Sequence, residues 1–224
     1  MAHHYMKLVR LLAPVAAIAA AAVAVVVFSP TSDASSKNTD RFENSDTAVA
    51  FRNDMRQLWE DHIVWTRLAI ISLADGLPDQ DASVGRLLQN QQDIGDAVKP
   101  FYGDAAGGQL TALLHEHITI AADLVLAAKA GDTAAADDAS ARWYANADEI
   151  AAFLSTANPD AWPLGHMKSM MREHLDLTLA EAVARLSADY PADVAAYDEI
   201  HGQILSMADM LSLGIIDQFP RHFK

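Results

Sequence analysis

Cysteine is absent from the 224-residue chain, which removes disulfide scaffolds, thiolate metal centres, cysteine nucleophiles, c-type haem attachment and a lipidated cysteine anchor. Any chemistry must rest on His, Met, carboxylates, hydroxyls or backbone. Positive charge is scarce, with 16 Lys and Arg against 30 Asp and Glu and a formal net charge of −14. Such a surface repels phosphate backbones, so no nucleic-acid partner is expected. No GxGxxG, GxxxxGK[ST] or GxSxG stretch occurs, leaving nucleotide binding and serine hydrolysis without motif support.

What is present begins with an apolar run. Lys7 and Arg10 precede eighteen uncharged, mostly aliphatic residues from Leu11 to Phe28, which a helix would extend to about 27 Å, nearly a bilayer core. That length favours a signal anchor over a signal peptide, although Ser32-Asp33-Ala34 offers a site for cleavage. Positive charge before the run and acidic chain after it orient the rest outside the cytoplasm. The expected organisation is therefore a signal anchor or signal peptide at 1–28, a polar flexible linker at 29–47 and a folded region at 48–224. The membrane is the expected partner, through the N-terminal helix. The protein is then membrane-anchored with an extracytoplasmic domain, or secreted if the signal is cut.

From about Ala48 onward apolar residues recur at three- and four-residue spacing, and strand alternation and Asn-Gly hairpin signals are missing. The fold class expected is all-α. Breakers at 75–78, 100–108, 131–132, 158–163 and 188–191 divide the region into six helices, with short turns inside pairs and longer links between them.

The helices carry an internal repeat. Leu58-Trp59-Glu60-Asp61-His62-Ile63, Leu113-Leu114-His115-Glu116-His117-Ile118 and Met170-Met171-Arg172-Glu173-His174-Leu175 superimpose as apolar, apolar, x, acid, His, aliphatic. In the intervening helices Asn90, Asn146 and His201 each stand four residues before an aliphatic one. The expectation is an up-and-down six-helix bundle built from three repeated α-hairpins at about 50–103, 104–158 and 163–219, rather than an open solenoid.

Counting outward from the turns sets His62 level with Asn90, His117 with Asn146 and His174 with His201, all on apolar stripes. Six polar side chains should then form one interior layer, open to three readings. As a metal site, His62, His117, His174 and His201 supply imidazole ligands to zinc, copper or iron, with Thr178, Glu181 and Asp198 behind them. A copper variant adds Met170 from the run His166-Met167-x-x-Met170-Met171-x-x-His174, with Met207 and Met210. As a pocket, the layer binds a small polar molecule lined by Trp65, Trp143, Tyr144 and Tyr197, or poises His174 with Glu181, or His201 with Asp198, as a base. As structure, the His/Asn layer only fixes helix register. No nucleophile or oxyanion hole converges with it, so a catalytic role is not the expectation.

Residues 62–67 (His-Ile-Val-Trp-Thr-Arg), 86–90 (Arg-Leu-Leu-Gln-Asn), 100–103 (Pro-Phe-Tyr-Gly), 142–150 (Arg-Trp-Tyr-Ala-Asn-Ala-Asp-Glu-Ile) and 207–210 (Met-Ala-Asp-Met) resemble signature stretches of a family of bacterial and archaeal all-helical proteins. The resemblance spans roughly Phe51 to Pro220 and implies no established activity, cofactor or catalytic residues. Some such proteins carry enzyme names, including glycosyltransferase. A nucleotide-sugar enzyme would show strand–helix alternation, which is missing here. The resemblance also implies an acid at the position of His201, which leaves His62, His117 and His174 as the firmer set.

Overall fold

A computed structural model of the chain describes residues 44–224. The anchor expected at 1–28 and most of the linker lie outside the described residues. Six α-helices follow in order: α1 Asp46–Asp75, α2 Gln80–Tyr102, α3 Asp104–Ala130, α4 Thr133–Ala157, α5 Leu164–Leu186 and α6 Tyr190–Gln218, then a short 3-10 turn, Pro220–Phe223. There is no strand among the described residues. Helix α1 starts two residues before the expected boundary at 48, because Ser45 caps it: its hydroxyl accepts from the Ala48 N–H at 3.2 Å.

Each helix packs on the next, and α6 returns to α1, closing a ring. Helix α1 also reaches across to α3 and α5. Helix α3 is long and apolar enough to cross a membrane; here it packs against α1, α2 and α4.

The turns at one end share a single solution. Gly76, Gly131 and Ala188 are left-handed, with φ of 69°, 73° and 57°. The next N–H in each case bonds back five residues: Leu77 to the Ser72 carbonyl, Asp132 to Ala127 and Asp189 to Ala184, at 2.9, 3.0 and 2.9 Å. Asp132 and Asp189 then cap α4 and α6 through their side chains. We call this the distal end, since Ser45 lies at the other.

The link between α2 and α3 departs from expectation. A break across 100–108 was anticipated from Pro100 and the glycines, yet α2 runs through Pro100 to Tyr102 and only Gly103, at φ 84°, separates it from α3. Gly107 instead serves close approach, together with Gly95 of α2. A Cβ on Gly95 would stand 1.9 Å from Thr111 Oγ1 and 2.7 Å from the Gly107 carbonyl, so these helices touch backbone to backbone.

At the proximal end Phe51, Phe101, Phe219 and Phe223 form an aromatic plug, with Phe101 stacked on Phe223 at 5.5 Å. Above it the Ser45 hydroxyl donates to the Phe223 carbonyl at 2.6 Å. Near the distal end Arg67 of α1 bonds Glu181 of α5 at 2.6 Å and Asp193 of α6 at 2.7 Å. Arg185 pairs with Asp193 and with Asp75. Both Glu181 and Asp193 are buried, so these paired charges tie three helices together.

Candidate functional site

Helices α1, α3 and α5 each bring one buried histidine to the same layer. His62, His117 and His174 are 3%, 3% and 4% exposed. The His62 and His174 ring centroids stand 5.7 Å apart; His117 lies close enough to act electrostatically on His62 and is itself acted on by His174.

An amide on the following helix engages each ring. His62 Nδ1 meets Gln91 Nε2 at 3.2 Å, His117 Nδ1 meets Asn146 Oδ1 at 2.8 Å and His174 Nδ1 meets Gln203 Oε1 at 3.2 Å, always across a separation of 29 residues. The even-numbered helices are also pinned to the carbonyl four residues before each histidine. Asn90 donates to Leu58, Asn146 to Leu113 and Gln203 to Met170, at 2.9, 3.1 and 3.1 Å. In the second and third pairs one amide makes both contacts. In the first, Asn90 takes the carbonyl and Gln91 the imidazole.

These bonds fix where each ring carries its proton. Asn146 Nδ2 and Gln203 Nε2 face carbonyls, so their oxygens face the rings, and His117 and His174 donate from Nδ1. Gln91 Nε2 also contacts the Leu87 carbonyl and Asn90 Oδ1, at 2.9 and 3.0 Å. Its two hydrogens are shared among these two oxygens and the longer contact to His62 Nδ1, so a donor group and not an oxygen stands against Nδ1, and His62 holds its proton on Nε2. Trp143 Nε1 donates to His117 Nε2 at 3.1 Å, which saturates that ring. What remains is His62 Nε2–H, a donor, and His174 Nε2, an acceptor, neither with a hydrogen-bond partner among the described residues.

Burial keeps all three rings neutral. It pulls His117 down to about 3 and His174 to about 4, and His62 falls well below the ordinary imidazole value. Repulsion among the rings adds to this for His62 and His117.

The layer separates two cavities. The distal one has a volume of about 70 Å³ and is lined by all three histidines, by Trp143 and Thr178, and by aliphatic residues of α1 to α5. Its rim includes Thr133, Asp137 and Ser140 of α4, of which Thr133 and Asp137 are exposed. The inner one, about 30 Å³, lies on the proximal side among Met55, Trp59, Met171 and Met207 and is bounded by the same three histidines.

Of the residues expected at the site, His62, His117, His174, Asn90 and Asn146 come together. His201 does not: it points outward and bonds Glu60 at 2.9 Å with its side chain 40% exposed. Gln203 holds the position assigned to it. Two residues rotate a helix by about 200°, so a register error of two exchanges the inside face for the outside. Asp198 is exposed as well. Trp65 packs beside Leu87 and Ile118 under the Arg86 guanidinium rather than in the cavity. Glu181 is committed to Arg67, and Thr178 bonds back to the His174 carbonyl at 2.8 Å. Met170 contributes its backbone carbonyl, and His166 is exposed. Tyr144 donates to Asp176 at the surface, and Tyr197 stacks on Arg67. Gln91 and Gln203 were not anticipated; the constant separation of 29 residues would have found both.

Among the described residues no group of three or more His, Asp or Glu side chains is disposed to hold a metal ion. The hydrogen bonds supply a reason. Of the six ring nitrogens only His174 Nε2 keeps a lone pair free of a protein partner. Comparison with models of known families, with curated proteins and with solved structures gave no match in any of the three, so the geometry of this layer carries the functional argument.

Proposed function

We propose that the bundle binds a small, uncharged and mostly apolar organic molecule in the distal cavity, with the histidine layer as the polar floor. The observation that carries this reading is the pair of unpartnered imidazole nitrogens on rings lining a mostly apolar space. Ligand sites in helical bundles have this composition, an apolar wall with few convergent polar groups. Binding without chemistry is the favoured role: of the hydroxyls that line the cavity, Thr66 and Thr178 donate to backbone carbonyls of their own helices, and none is hydrogen-bonded to a ring that could serve it as a base. The reading replaces zinc, copper or iron by an organic ligand, since neutral, amide-bonded rings offer one free lone pair.

The three amide–imidazole bonds at one separation support descent of the bundle from a single repeated hairpin, with Ala188 standing where the other turns have glycine. They also support a second role for the layer, holding each pair of helices in register. For localisation, we read the apolar run from Leu11 to Phe28 as an anchor that keeps the bundle outside the cytoplasm. Since Ser45 caps α1 at the proximal end, the cavity would then open away from the membrane.

Xenon tests the cavity itself. Under xenon pressure the methyl resonances of Ile70, Val125 and Leu179, which line the distal cavity, should shift saturably in the full-length protein. Filling the space with Ala182→Phe should abolish the shift. No saturable shift in the wild type, or one that survives in the filled variant, overturns the reading.

A further inference from the structure

The proton positions on the two unpartnered rings narrow which functional group an uncharged ligand of this cavity carries. His62 Nε2 can only donate and His174 Nε2 can only accept. A single oxygen about 2.9 Å from each nitrogen spans up to about 5.8 Å, and rings whose centroids are 5.7 Å apart bring their nitrogens within that span when the two Nε2 atoms turn toward each other. A group that meets both nitrogens through one atom must accept one hydrogen bond and donate another. Among simple neutral functions a hydroxyl does this. A ketone or ether would leave His174 unpaired, and an ammonium would drive its own N–H against the His62 N–H.

Charge and size agree. Asp137 stands at the rim and the chain carries a net charge of −14, so a carboxylate is repelled before it meets a floor with only one donor. The volume of about 70 Å³ is roughly half that of a cavity known to admit benzene, about 150 Å³. An unbranched alkyl chain fits this space better than a ring. Resting on the small-ligand reading of the same cavity, we infer that the site is selective for a short, unbranched neutral alcohol whose hydroxyl bridges His62 and His174.

The probes are 1-butanol, n-pentane and n-butyrate, titrated into ¹⁵N-labelled full-length protein while the imidazole nitrogens are followed by NMR. Butanol should move the Nε2 resonances of His62 and His174 saturably and leave His117 unmoved, and butyrate should not bind. In His62→Gln and in His174→Gln the affinity for butanol relative to pentane should fall about tenfold, the cost of one hydrogen bond. Pentane binding reports in each variant that the cavity has formed. Should one variant fail to fold, the wild-type resonances and the other variant still decide the question. If pentane and butanol bind alike without moving the two nitrogens, the hydroxyl assignment fails and the cavity reading stands. If neither enters, the cavity reading fails too. Butyrate binding with comparable affinity also overturns the inference, as does butanol excluded by a retained water at the rings.

Discussion

Acid should unfold this bundle from the inside, and the size of the effect follows from rings held neutral out of water. His117 and His174 are pulled from 6.5 to about 3 and about 4, chiefly by burial. With the folded value below the unfolded one, the unfolded chain takes up protons first. The stability these residues contribute is therefore complete above about pH 6.5 and is lost progressively as pH falls toward about 3–4. Between about pH 7.5 and pH 5 an unfolded imidazole gains about 2 kcal/mol of protonation free energy that the folded ring does not share. Each of the two should then cost about 2 kcal/mol of stability over that interval, and His62 acts in the same direction. Carboxylates titrate over the same range, so the quantity to compare is the pH dependence with and without one ring. Urea unfolding of wild type, His117→Gln and His174→Gln, followed by far-UV circular dichroism at the two pH values, isolates it. The loss on acidification should shrink by about 2 kcal/mol in each variant, whatever the variant's stability at neutral pH. An unchanged loss would falsify the assignment of that ring as buried and neutral, and the proton positions inferred at the site would go with it.

Glu181 should behave in the opposite sense. Burial pushes its carboxyl up to about 7 against the pull of Arg67, so its contribution is favourable below about pH 4.5 and is lost as pH rises through 7. Glu181→Gln should remove about 2 kcal/mol of stabilisation on acidification from about pH 7.5 to 5, read from the same urea curves; identical pH dependence in the two chains would refute it. Ala188 sits at φ 57°, where a Cβ costs about 1–2 kcal/mol and glycine loses part of that gain in the unfolded chain. Ala188→Gly should raise stability by about 0.5–1 kcal/mol, and a lower thermal midpoint would count against the strain. At the α2–α3 contact, Gly95→Ala should cost about 1–3 kcal/mol through overpacking. Gly85→Ala, whose Cβ would meet nothing within 4 Å, should gain about 0.5–1 kcal/mol from helix propensity. Equal effects would mean that the helices are not in backbone contact.

How far the site was legible depended on which residues report their own depth. The three histidines were readable because each follows two apolar residues and an acid at a fixed place in its helix, and the helical period then fixes the face. The amides were harder. Asn90 and Asn146 stood out as polar residues on apolar stripes, whereas Gln203 is only half-buried and His201, two positions earlier, has the more arresting chemistry. A side chain that reaches the interior from the edge of a stripe leaves no mark in the hydrophobic pattern. The helix count followed from the breakers, but not the length of the second link. Proline stops a helix only when the N–H it removes was needed and its ring collides with the preceding turn, and near the C-terminal end of α2 Pro100 is accommodated. The charged tie of Arg67 to Glu181 and Asp193 was invisible, because nothing in the local sequence says that α1, α5 and α6 meet there.

The hydrogen bond from Ser45 to the Phe223 carbonyl brings the first and last turns of the folded region together. The order in which the chain visits its helices is then a convention of synthesis rather than a requirement of packing. A bundle whose ends were spliced beside the aromatic plug and reopened at the Gly131 turn would make the same layer of rings and amides. It would present its free ends at the mouth of the cavity instead of at its far pole, so a reporter or tether could be fused where a ligand enters.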